Sequence, residues 1–163
     1  MTHRDPAPPR PAEQRKRDVL ERLAQDVDVW VATASPDGVP CMVPLSFAFD
    51  GETLLLCTGR GTPTARNLLS GRAAGGATGT GGLARLALGH TRDVVLVEAL
   101  TEAVATDGLS PDEGASFAAR TGFDPRGWAD WVFFRCRPRT VRAWREENEL
   151  AGRLLMRDGR WRV

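Results

Sequence analysis

The sequence predicts a mainly β (α+β) fold, a small barrel with peripheral helices. Three observations carry this. Short apolar, β-branched runs recur between turn signals along most of the chain. Two of them, CMVPLSFAF and TLLLCT, flank Asp50-Gly51, and Asp-Gly between such runs is the strongest short-range hairpin signal. The helical stretches are short and do not alternate with strands as a doubly wound α/β sheet requires. At 163 residues the chain is long enough to close one core.

Residues 1–11 are rich in Pro and charge, so a disordered tail is expected there, followed by a single domain over 12–163. From Ala12 to about Gln25, Val19, Leu20 and Leu23 fall at helical spacing. Strand character begins at Val27 and runs through DVWVATA. Ser35-Pro36-Asp37-Gly38 turns the chain into the run that contains Val43 to Ser46. A third strand is expected over Thr53–Thr58. A short helix follows, with Pro63 in a first helical position and Thr62 as its cap. Residues 71–82, GRAAGGATGTGG, lack apolar anchors and read as a Gly-rich loop insertion on the surface. The GTGGLA within it has no strand before it, so it is not a dinucleotide-binding turn, and a Walker motif would need a Lys that is absent.

Strands resume at Leu83–Leu88 and Asp93–Val104. Pro111–Arg120 reads as a helix capped by Ser110, with Asp112 and Glu113 in its first turn. Trp131–Cys136 and Thr140–Trp144 form a last long strand bent near Pro138. A helical turn in REENELAGR and the hairpin MRDGRWRV end the chain.

Composition removes several functional classes. Net charge is +1, and the basic residues, all Arg except Lys16, are interleaved with Asp and Glu, so no nucleic-acid surface is expected. Cys41, Cys57 and Cys136 lie far apart without CxxC spacing, and His3 and His90 are the only histidines. Neither a disulfide framework nor a zinc or His-based metal centre follows from that set. No apolar run approaches membrane-spanning length and the first residues contain no apolar leader core, so a cytoplasmic protein with no membrane partner is expected. No serine–histidine pair or carboxylate dyad stands out, and Asp28, Asp50 and Asp93 sit where turns are expected.

The hairpin Gly38–Thr58, the segment TPTARNL and the C-terminal pattern W…ELAGR…DGRW together resemble the pyridoxamine 5'-phosphate oxidase family, the FMN-binding split β-barrel of Greek-key type. The resemblance runs from about Val27 to Val163. It implies a homodimer with FMN in a groove between subunits. On that pattern Val43, Pro44, Leu45 and Ser46 line the isoalloxazine, and Thr58 lies beside the ring or ribityl chain. Thr62, Thr64, Arg66 and Asn67 lie near the phosphate, and Trp144 and Arg153 approach the cofactor from the C-terminal segment. Trp131, Phe133 and Trp144 are expected to supply apolar interface.

The chain also departs from that pattern. Thr64 stands where many members have a Lys, and Pro63 where an Arg or another polar residue is common, so Arg66 and Arg153 are expected to carry the charge opposite the phosphate. The Lys and the Arg-Leu-His-Asp-Arg segment that hold substrate in true pyridoxamine phosphate oxidases are replaced by Ala48 and by Glu149-Leu150-Ala151-Gly152-Arg153. Glu149 is expected to repel a substrate phosphate. The resemblance thus implies an FMN-dependent oxidoreductase moving hydride to or from an unidentified small molecule, and not vitamin B6 oxidation. A deazaflavin coenzyme, used by many actinobacterial relatives, is the alternative cofactor. A non-catalytic flavin or haem binder is the alternative of another class.

Overall fold

The computed structural model describes residues 7–71 and 82–163. Its order is α1 (Ala12–Gln25), β1 (Asp28–Ala34), β2 (Pro40–Phe49), β3 (Leu54–Gly59), α2 (Pro63–Ser70), β4 (Leu83–His90), β5 (Asp93–Val104), α3 (Pro111–Thr121), β6 (Trp131–Arg145), a single 3-10 turn (Glu147–Glu149), β7 (Leu154–Arg157) and β8 (Arg160–Trp161). Neighbouring strands follow the order β3-β2-β1-β4-β5-β6-β7-β8, and β3 also pairs with β6. That last pairing closes β1 to β6 into a six-stranded antiparallel barrel with small helices around it, a split β-barrel.

Alternation along the strands fills the barrel. Val29 and Val31 of β1, Leu86 of β4, Val97 of β5 and Val132 and Phe134 of β6 point inward and are buried. α1 lays Val19 and Leu23 on this core, and α2 adds Ala65 and Leu68. A second cluster lies on the outer face of β3 and β6, where Leu55, Cys57 and Phe133 are covered by Phe117 of α3. The Phe117 and Phe133 rings meet edge to face with centroids 5.1 Å apart. α3 starts on a full capping box between Ser110 and Glu113 and stops at Gly122 in the left-handed conformation. This cluster corrects one expectation: Phe133 is not interface surface but is buried within the chain. Trp131 is likewise half-buried and packs against Phe123 and Trp128.

β6 carries a bulge. Glu98 pairs with Thr140 and the next residue, Ala99, with Pro138, so Arg139 has no partner on β5. Its carbonyl instead accepts from Gly159 N–H at 2.9 Å. All but the ends of the Gly-rich stretch 71–82 lies outside the described residues. Those ends nearly touch: a Cβ built on Gly71 would stand 2.7 Å from the Gly82 Cα. Of residues 1–11, the first six lie outside the described residues, and Arg10 is bound into an ion-pair network given below. Among the described residues no helix is long and apolar enough to cross a membrane.

Candidate functional site

The end of β3 and the start of α2 form a compact hydroxyl-rich turn. Thr62 N–H closes onto Gly59 O at 3.0 Å, and its side chain caps the helix by accepting from Ala65 N–H at 3.1 Å. Thr58 and Thr62 place their hydroxyl oxygens 3.2 Å apart. Pro63 has no N–H, and among the described residues no acceptor meets the Gly61 and Thr64 N–H groups. Arg66 is exposed and folds back over the same turn, donating from Nη1 to Gly61 O at 2.5 Å. The Thr64 helix N–H, the Gly61 N–H of the preceding turn, two hydroxyls and a guanidinium therefore converge at one helix start, which is chemistry for an anionic oxygen cluster.

Two other residues expected at the phosphate face elsewhere. Thr64 is 1% exposed, with its hydroxyl 3.7 Å from the Cys41 sulfur. Asn67 donates its amide to the Thr33 hydroxyl at 3.0 Å. Both seat α2 on the ends of β1 and β2. Alternation also divides Val43 to Ser46. Val43 pairs with Val31 and Leu45 with Val29, so these two share the inward face, whereas Pro44 pairs with Trp30 and lies on the outer one with Ser46. Ser46 donates to Asp28 at 2.7 Å.

Trp144 and Arg153 come together at the other end of the chain. The Arg153 guanidinium carbon lies 5.7 Å from the Trp144 ring centroid, a cation–π arrangement. Trp144 pairs through β5 with Val94 on the outer surface of the sheet. Among the described residues no hydrogen bond or ion pair links this couple to the α2 turn, so one chain presents two separate groups. The same outer surface is unusually apolar, with Trp30 49% exposed, Met42 63% and Leu96 36%. Trp30, Met42 and Val94 border an open concavity of about 400 Å³. Trp30 was not among the expected site residues. A signal was present in the apolar character of both faces of DVWVATA, a pattern of strands covered on two sides.

Glu149 is anchored inside the protein. It is 2% exposed and accepts from Arg10 Nε at 2.9 Å, Arg10 Nη2 at 2.7 Å and the Arg145 backbone N–H at 2.6 Å. These contacts, the Arg10 side chain first, hold its carboxyl down to about 2. Arg10 also meets Asp18 at 2.5 Å and Asp93 at 3.4 Å. The charge expected to repel a substrate phosphate is neutralised by this partner. Ala48, the other position expected to differ from true pyridoxamine phosphate oxidases, packs half-buried against the α3 cluster.

The family model described as Pyridoxamine 5'-phosphate oxidase matches residues 16–145. The chain belongs to the pyridoxamine 5'-phosphate oxidase family. No curated protein matches it in sequence. Similar solved structures include an F420 reductase, 22% identical over 74% of this chain and 93% of that one with a TM-score of 0.55. Another is HutZ, the heme storage protein of Vibrio cholerae, at 16% identity over 80% and 94% with a TM-score of 0.59. General Stress Protein 26 of Bacillus anthracis is 15% identical over 79% and 93%, with a TM-score of 0.52. At these identities the likeness is one of fold. Thr64, Ala48 and Glu149, the three positions expected to depart from the family's pattern, turn to packing or to internal charge pairing in this structure.

Proposed function

We propose that the protein is an FMN-dependent oxidoreductase that moves hydride to or from a small molecule, and that it is not a pyridoxamine phosphate oxidase. The observation that carries this reading is the α2 start, where Thr58, Thr62 and Arg66 surround the unpaired Gly61 and Thr64 N–H groups. Thr62 and Arg66 hold the cofactor phosphate with the Gly61 and Thr64 amides, while Thr64 and Asn67 fix α2 against the barrel. Pro44 and Ser46, with the β2 backbone, flank the ring. Trp144 and Arg153 complete the groove from the second copy of a homodimer, because one chain leaves them apart from the α2 turn. The bound flavin supplies hydride transfer, and the chain's own task is to bind it, orient it and exclude water. The loss of the substrate-phosphate Lys and Arg at Ala48 and Glu149 is the ground for setting vitamin B6 oxidation aside. A cytoplasmic setting suits this reading.

A deazaflavin coenzyme is the second reading, favoured by the fold shared with an F420 reductase. A non-catalytic haem or flavin binder is the third, favoured by the fold shared with a heme storage protein. The visible spectrum of the purified protein identifies the ligand, with a band at about 450 nm for flavin, about 420 nm for deazaflavin, or a Soret band for haem, and bleaching of a flavin band by an added hydride donor tells the enzyme from a non-catalytic flavin binder. A spectrum without any of these after incubation with each cofactor would overturn all three.

A further inference from the structure

At the far end of β2 from α2 the barrel opens into a cavity of about 510 Å³, within the size range of small-molecule sites. Cys41, which touches Thr64 of α2, and Phe49, which lines this cavity, are separated along β2 by about 26 Å. The cavity is thus distinct from the α2 turn, and neither Trp144 nor Arg153 lines it. Its walls are Leu20 and Leu23 of α1, Phe49, Val141, Met156 and Trp161. Two turn tips leave it open, Gly51 at φ 102° and Gly159 at φ 76°, positions where a side chain is both strained and absent.

Its rim carries both signs of charge, with the basic residues in excess. Arg137, Arg139 and Arg160 line it together with Glu52 and Asp158. Arg139 reaches Asp158 at 3.8 Å. Among the described residues Arg137 and Arg160 have no carboxylate within ion-pair distance, which leaves the rim with excess positive charge. The bulge at Arg139 contributes directly, since it breaks the β5 ladder where Arg137 and Arg139 meet the cavity. Bulges that re-aim side chains are characteristic of site borders. Lys16 adds a further cation on the outside of the Trp161 wall, 5.3 Å from the ring centroid.

We infer that this cavity binds a small amphiphilic anion, an apolar body seated between α1 and the C-terminal hairpin with its carboxylate held by Arg137 and Arg160. The test is an NMR titration of the ¹⁵N-labelled full chain with decanoate below its micellar concentration, with decyltrimethylammonium and acetate as controls. Decanoate is expected to shift the Gly51 and Gly159 amides and the Trp161 indole, and the controls are not. The double variant R137Q/R160Q is expected to bind decanoate roughly tenfold more weakly, the loss of a charge-assisted contact. E52Q, which removes a like charge beside the ligand, is expected to tighten it, and L20W to fill the cavity and block it. The inference is overturned if the ammonium binds as tightly as decanoate. It is equally overturned if the shifts map to Trp30 and Gly89 instead, or if R137Q/R160Q and E52Q both bind as wild type does.

Discussion

A carboxylate as buried as Glu149 survives ionised only because Arg10 meets both its oxygens and the Arg145 amide meets one of them again. Its folded pKa of about 2 lies below the ordinary 4.5, so its contribution to stability is complete at neutral pH and is lost as pH falls from about 5 towards 2. Glu149→Gln is expected to destabilise the protein by about 1–3 kcal/mol at pH 7, since it removes the charge that Arg10 and the Arg145 amide hold, leaving Arg10 only Asp18 and Asp93. Urea unfolding should show the gap to wild type narrowing at pH 3; a gap of equal size at both pH values would assign the effect to packing. None of this could be read locally, because the partners are 139 residues apart and Arg10 stands in a Pro-rich stretch that looks like tail. Arg66 and Arg153 were singled out because each falls in a segment with family spacing, and the structure sets Arg66 on the α2 turn and Arg153 over Trp144. Arg66→Ala or Arg153→Ala is expected to weaken FMN by about 1.5–3 kcal/mol and riboflavin much less. Isothermal titration with both ligands checks this, and equal losses for the two would move these arginines from the phosphate to the fold.

Among the elements, α2 was the most readable, because Thr62 followed by Pro63 is a local start signal and the cap forms as written. Thr62→Ala is expected to cost about 1 kcal/mol in thermal or urea unfolding through the lost cap. What local pattern could not supply was the cover over the second face of a strand apolar on both sides. WVFFRC puts Val132 and Phe134 into the barrel, but only the packed structure shows that Phe133 is met by α3 and not by another molecule. Phe117→Ala should therefore destabilise by about 3–5 kcal/mol without altering oligomeric state. A concentration-dependent mass change in light scattering of that variant would show that the α3 face also serves an interface. The touching ends at Gly71 and Gly82 bear on the proposed surface insertion between them. Replacing the intervening residues with a turn of about four is expected to leave cofactor affinity unchanged, and a tenfold loss would place that segment over the ligand.

For the whole molecule, the apolar outer surface around Trp30, Met42 and Leu96 is the natural place for the second copy that the proposed groove requires. Met42→Glu is expected to convert a dimer seen by light scattering at micromolar concentration into a monomer that also loses FMN. A wild-type monomer with cofactor bound would remove the shared groove. The sequence marked the barrel itself through turns and alternation, yet not its closure, since β3 and β6 lie far apart in the chain. That closure has a bearing on how copies of the protein can meet. The β3–β6 pairing covers the outer edge of β3 that an open sheet of this order would present, and the other end of the sheet is β8, a strand of two residues. Strand-by-strand extension from one copy to the next is thus disfavoured at both ends of the strand order. Side chains on curved faces are then the main means of contact, which suits the proposed two-fold pair better than a growing ribbon and leaves its strength to a handful of apolar residues.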